Sequence, residues 1–149
     1  SLTLAANLED LTLVRDAARN ATGNALANGL GGNGMANILH GLAGADRLVG
    51  GAGNDTLAGD RGDDVLNGGA GADVFIFTLG HDVIRDFRDD IDTVRIDDAL
   101  WGGADRSVGW VLDHGRLVDG AVVLSFGEHS LTFENLTRIA ALQDDLVIG

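Results

Sequence analysis

The chain has 149 residues and a formal net charge of −13, enough length for one domain with a modest core and the wrong sign for a nucleic-acid or anionic-membrane partner. It contains no cysteine and no proline, so no disulfide can staple it. No apolar run is long enough to span a bilayer, and no leader-like stretch follows Ser1, so the chain reads as a piece of a larger protein without membrane insertion.

Residues 1–22 hold two strand-like stretches, 2–4 and 8–13. The second alternates apolar and polar side chains, as a half-buried strand does. The expectation is a coil capping whatever follows. Residues 23–40 read GNALANGLG and GNGMANILH. Each nonapeptide has a leucine at its eighth position, Leu30 and Leu39, and an asparagine at its sixth, Asn28 and Asn37. These two are the weaker metal candidates, because an amide offers an oxygen without charge. The preferred reading is a hydrogen-bonded asparagine ladder in metal-free coils.

Residues 41–76 continue in the same register as GLAGADRLV, GGAGNDTLA, GDRGDDVLN and GGAGADVFI. The template is Gly-Gly-x-Gly-x-Asp-x-U-x, with U a large apolar residue, and such a tandem repeat signals a Ca²⁺-binding parallel β-solenoid. Leu42 and Asp60 replace glycine at the second position of the first and third copies. The residues around U suit a short strand, and the glycine half suits a tight turn that aims its carbonyls inward. Two nonapeptides close one coil, so residues eighteen apart stack at about 4.8 Å, where paired aspartates repel unless a cation lies between them. The U series Leu30, Leu39, Leu48, Leu57, Leu66, Phe75 and Ile84 should alternate between two facing sheets and meet in a thin interior.

This tract resembles the RTX family, the secreted bacterial proteins that carry hemolysin-type calcium-binding nonapeptide repeats. The resemblance implies an all-β fold, a right-handed parallel β-roll, with several Ca²⁺ ions each held by aspartates of two coils and by backbone carbonyls. It pairs Asp46 with Asp64, joined by carbonyls of Leu42, Gly44, Gly59 and Arg61. It pairs Asp55 with Asp73, joined by those of Gly51, Gly53, Gly68 and Ala70. Asp82, eighteen beyond Asp64, gives a third pair with poorer turn chemistry, since Phe77 and Leu79 stand where glycines should. The resemblance also implies an extracellular C-terminal module that passes through a type I secretion exporter. The expected division is a capping coil at 1–22, degenerate repeats at 23–40, the calcium-binding roll at 41–84, and a β-cap with a secretion signal at 85–149.

Past the repeats, residues 82–100 place Asp86, Asp89, Asp90 and Asp92 among alternating apolar residues. An EF-hand is excluded, because the glycine at its sixth position and the terminal glutamate are missing. A solvated turn before a strand is expected, with any further ligand among these carboxylates unassigned. Residues 101–109 read as a glycine loop. Residues 110–113, 121–126 and 130–133 read as strands, with turns at His114-Gly115 and Asp119-Gly120. Together they predict a small antiparallel β-cap. Trp101 and Trp110 are candidates for stacking on a sugar, but packing is the preferred role. Residues 135–142 suit a short helical turn. The end, DDLVIG, is similar to the acidic-then-apolar tail of type I secretion substrates, while its bland reading is a last strand.

The four histidines, His40, His81, His114 and His129, lack zinc spacing, and no nucleophile elbow or nucleotide loop is present, so no enzyme is expected. The leading reading is a non-catalytic calcium-binding module. The alternative is a carbohydrate-binding auxiliary module of a polysaccharide-modifying enzyme such as an alginate epimerase, with an extracellular glycan as partner.

Overall fold

The computed structural model describes residues 1–14, 19–102 and 106–149. Part of the expected capping coil (15–18) and of the expected glycine loop (103–105) lie outside them. The strands are β1 (Leu2–Thr3), β2 (Asp10–Thr12), β3 (Asn20–Thr22), β4 (Gly29–Gly31), β5 (Ile38–Ala43), β6 (Arg47–Ala52), β7 (Thr56–Arg61) and β8 (Val65–Ala70). They continue as β9 (Val74–Phe77), β10 (His81–Ile84), β11 (Thr93–Ile96), β12 (Gly115–Val118), β13 (Ala121–Phe126), β14 (His129–Phe133) and β15 (Leu146–Ile148).

Odd and even strands sort onto opposite walls. One sheet runs β1-β3-β5-β7-β9-β11-β15 and the other β12-β13-β14-β10-β8-β6-β4-β2. Every neighbour pair from β1 to β11 is parallel, as only a solenoid allows for strands joined by short turns. The fold is therefore a parallel β-roll. The expected U series supplies its interior: Leu30, Leu48, Leu66 and Ile84 are stacked on one wall, and Leu39, Leu57 and Phe75 on the other. All seven are sealed from solvent. Ala21, Val94 and Leu146 extend the second row, and Leu11 and Phe133 the first. Full burial of such side chains contributes roughly 1.5–3 kcal/mol each.

The C-terminal part closes the roll without forming a separate layer. β14 joins β10 in parallel, and β13 and β12 then add antiparallel to the same sheet. β15 joins β11 in parallel and extends the other sheet, so the tail is a docked strand. The turn between β12 and β13 has positive φ at both Asp119 (51°) and Gly120 (88°), the hairpin turn whose twist matches that of its strands.

Three local expectations change. Residues 110–113 belong to a helix, α1 (Val108–Asp113), not a strand, because the Ser107 hydroxyl accepts the Trp110 N–H and caps the first turn while Val111 enters the core. Gly115 opens β12 instead of completing a turn. The helical turn expected over 135–142 shrinks to a 3-10 turn at Ile139–Leu142 that buries Ala141 and Leu142.

Candidate metal centre

The glycine turns set the site. Repeat positions two and four take left-handed backbone: Gly51 and Gly53, and Gly69 and Gly71, have φ between 95° and 136°. The same geometry is forced on Leu42 (φ 80°) and Asp60 (φ 71°). Position one needs glycine for a different reason. A Cβ at Gly50 would overlap both the Asp55 Oδ2 and the Gly68 carbonyl oxygen, and one at Gly41 would overlap Asp46 Oδ2 and crowd the Gly59 carbonyl. Absence of a side chain thus leaves room where carboxylate and carbonyl oxygens of adjacent coils converge.

The sixth positions form two columns, one at each edge of the sheets. Asn28, Asp46, Asp64 and Asp82 follow one edge, and Asn37, Asp55, Asp73 and Asp92 the other. Each aspartate uses Oδ1 to accept the backbone N–H of the sixth-position residue one coil earlier. Asp46 and Asp55 accept from Asn28 and Asn37 at 2.7 Å each. Asp64, Asp73 and Asp82 accept from Asp46, Asp55 and Asp64 at 2.8, 2.9 and 3.1 Å. The five Oδ2 atoms of Asp46, Asp55, Asp64, Asp73 and Asp82 are buried with no hydrogen-bond partner. An orphaned carboxylate oxygen costs more than most folds can carry, unless it is protonated or meets a cation. Burial indeed pushes Asp55 and Asp64 up to about 6 and Asp82 up to about 8, against backbone donors that pull down. Asp46 and Asp73 are raised for the same cause.

Asn28 and Asn37 behave differently. Their Oδ1 atoms accept the N–H of Asn24 and Asn33 in their own turns at 2.7 Å, and their Nδ2 atoms reach Oδ1 of the same residues at 3.3 Å. They lie on opposite columns, so the expected asparagine ladder does not form; each amide is satisfied inside its own turn. Among the proposed carbonyls, those of Arg61 and Ala70 accept the Gly44 and Gly53 N–H groups at 3.0 and 2.7 Å. The Gly44, Gly51 and Gly53 carbonyls face the backbone of Gly62, Gly69 and Gly71 in the next coil, and Leu42 pairs with Asp60. Hard, mostly anionic oxygens converging from flexible turns fit Ca²⁺.

The structure adds a residue the spacing missed. Asp92 is buried, not solvated, and its Oδ1 accepts the Asp73 N–H at 3.0 Å across nineteen residues. The signal was the Asp-Thr-Val segment at 92–94, which copies Asp-x-U one residue out of register. Asp89, Asp90 and Asp144 also gather at the surface. Among the described residues none of the histidines joins a metal-ligating group.

Trp101 and Trp110 meet edge to face at 5.8 Å and pack partly buried against the core, the packing role expected. They also line, with His114, Ser125 and Phe126, a cleft of about 290 Å³; the Trp101 Nε1 atom itself is buried without a hydrogen-bond partner.

The family model for the RTX calcium-binding nonapeptide repeat (4 copies) matches residues 31–66 and 49–84. The chain is similar to the solution structure of the AlgE6R3 subunit from the Azotobacter vinelandii mannuronan C5-epimerase, at 33% identity and a TM-score of 0.60, over 82% of this chain and 78% of that one. It is also similar to the crystal structure of the extracellular lipase LipA from Serratia marcescens, at 27% identity and a TM-score of 0.64, over 85% of this chain and 21% of the lipase. The chain therefore spans about a fifth of the lipase's length. No curated protein sequence matches it.

Proposed function

Because the chain belongs to the family of RTX calcium-binding nonapeptide-repeat proteins, we propose that it is a non-catalytic module that folds on Ca²⁺ outside the cell and stabilises a larger protein exported by a type I system. One observation carries this reading: five buried aspartates present a second carboxylate oxygen without a hydrogen-bond partner, and among the described residues only that of Asp73 has a cation near it, the Arg88 guanidinium at 3.6 Å. Asp46 with Asp64, Asp64 with Asp82, and Asp55 with Asp73 are the pairs that would hold ions. Carbonyls of Gly59 and Gly68, beside the open faces of Gly41 and Gly50, stand ready to complete the cages. Calcium supplies positive charge and a flexible, many-oxygen coordination shell. The chain's own part is to stack the carboxylates through Oδ1, keep water from Oδ2, and turn the carbonyls inward. With extracellular-type affinities of about 10⁻⁴ to 10⁻³ M, such sites stay empty in the cytosol and fill outside. Without the ion the acidic, glycine-rich tract resists ordering.

Circular dichroism tests the reading. In chelator the chain should show little β-structure, and millimolar Ca²⁺ should restore it cooperatively, with Mg²⁺ far less effective because it demands a small octahedral cage. A spectrum that chelation leaves unchanged would refute it.

A second reading, a glycan-binding auxiliary module, rests on the cleft lined by Trp101 and Trp110. The net charge of −13 favours a neutral glycan over a polyuronate. Neutral oligosaccharides should then quench tryptophan fluorescence in calcium, and Trp110→Ala should abolish the change. No quenching at millimolar sugar removes this reading.

A further inference from the structure

The last seat of the second column holds a side chain. The step from Asp73 to Asp92 repeats the backbone pattern of the step from Asp55 to Asp73. In one, the Asp55 N–H meets Asp73 Oδ1 at 2.9 Å and the Val74 N–H meets the Asp55 carbonyl at 2.8 Å. In the other, the Asp73 N–H meets Asp92 Oδ1 at 3.0 Å and the Thr93 N–H meets the Asp73 carbonyl at 2.8 Å. The coils are stacked alike, but a side chain lies in the second step. The Arg88 guanidinium approaches Asp73 Oδ2 at 3.6 Å and Asp92 Oδ1 at 3.2 Å, and it donates to the Gly71 carbonyl oxygen. Its Nε reaches Asp92 Oδ2 at 3.4 Å, and its backbone N–H donates to the same oxygen at 2.9 Å. These partners are one aspartate from each of two coils and the fourth-position carbonyl of the earlier coil. They are the donor types proposed above for the ion between Asp55 and Asp73.

We propose that Arg88 is a built-in cation that occupies the last seat of this column in place of Ca²⁺, so that the coil beneath the cap is closed without metal. The inference rests on the calcium-module reading and deepens it. The turn that delivers Arg88 explains why an ion is replaced. Residues 85–91 contain no glycine, so they supply fewer inward carbonyls than the other turns and a seat that Ca²⁺ alone would fill more weakly. They are pinned by side chains instead: Asp86 accepts the N–H groups of Gly68 and Gly69 at 2.9 and 2.7 Å, and Arg88 binds Asp92 four residues on. A guanidinium is always charged and presents several donors in a fixed fork, which suits two carboxylates and a carbonyl. A metal-free closed coil next to β11 and β15 gives the solenoid a template on which calcium-dependent coils can add, since such folds grow by nearest-neighbour stacking.

Native mass spectrometry and calorimetry of the full chain at saturating Ca²⁺ test this through stoichiometry. Arg88→Gln keeps the length and removes the charge, so it should bind one ion more than the wild type. Arg88→Lys keeps a cation in the seat and should bind the wild-type number. Arg88→Gln with Asp92→Asn should return to the wild-type number, because the seat then lacks its second carboxylate. Wild-type stoichiometry in Arg88→Gln would overturn the proposal and reduce Arg88 to an ordinary ion pair. So would failure of Arg88→Gln to fold at any calcium concentration, since a vacated seat must accept the ion. A wild-type chain that binds no Ca²⁺ would instead sink the module reading on which this one rests.

Discussion

Asp55 contains the logic of the site in one side chain. Oδ1 has a backbone donor from the coil before it, and Oδ2 has space, burial and nothing else. The carboxyl therefore waits for either a proton or a cation, and the two compete. In the metal-free chain the raised values, about 6 for Asp55 and Asp64 and about 8 for Asp82, lie above the ordinary value of 3.8. The folded state then holds more protons than the unfolded state between these limits, so its stability falls as pH rises. That stabilisation is complete below the ordinary carboxylate range and is lost as pH climbs through about 6 and then about 8. The metal-free chain should gain on the order of a few kcal/mol between pH 8 and pH 5. Calcium reverses the sign, because its ligands must be ionised, so the calcium midpoint should fall as pH rises over the same interval. Circular dichroism in calcium-depleted buffer, where the little β-structure left without the ion should increase toward pH 5, paired with calcium titrations at each pH, checks both slopes. A metal-free chain that grows more stable with rising pH would contradict the burial of these carboxylates.

At the scale of the turn, Gly51 and Leu42 hold the same place in neighbouring copies with similar backbone, φ 109° and 80°. A side chain in left-handed geometry costs about 1–2 kcal/mol. Leu42 is also exposed, so removing it sacrifices little burial. Leu42→Gly should therefore stabilise the calcium-bound roll by about 1 kcal/mol, after the larger chain entropy of glycine is subtracted. A melting temperature that falls on this substitution would mean that the leucine side chain packs in a way its exposure conceals. The turns and the strands between them were legible because both follow the nine-residue period: glycine at fixed places, a large apolar residue at the eighth. Asp92 was not, since one extra residue in 85–91 shifts it out of register. Arg88 was illegible for a deeper reason, because nothing local connects an arginine to Gly71 seventeen residues earlier; only the stacked coil does. The same applies to residues 110–113, whose apolar run suits either a strand or a helix turn until the Ser107 cap decides.

Across the whole molecule, the ends carry different burdens. β1 and β2 are short and mostly exposed, while β15 lies along β11 and buries Leu146. The tail proposed as an export address is thus also a structural strand, and deletion alone cannot separate the two roles. Removing residues 144–149 should cost roughly 1.5–3 kcal/mol for the lost Leu146 contact and expose the edge of β11. It should leave calcium binding by Asp46, Asp55 and Asp64 largely intact, because stacking energy passes only between adjacent coils. The address can be altered without the strand, since Asp144 and Val147 both face solvent. Asp144→Asn with Val147→Asn should keep the β11–β15 pairing and the calcium midpoint. If the acidic-then-apolar chemistry is what an exporter reads, this double variant fused to a passenger should be secreted poorly by a type I system, as should the truncated form. Secretion of both at the wild-type level would remove the address from these residues and leave β15 as the closing strand of the second sheet. Poor secretion of the truncated form alone would place the signal in the strand's backbone or in Leu146 and Ile148, where folding and export draw on the same residues.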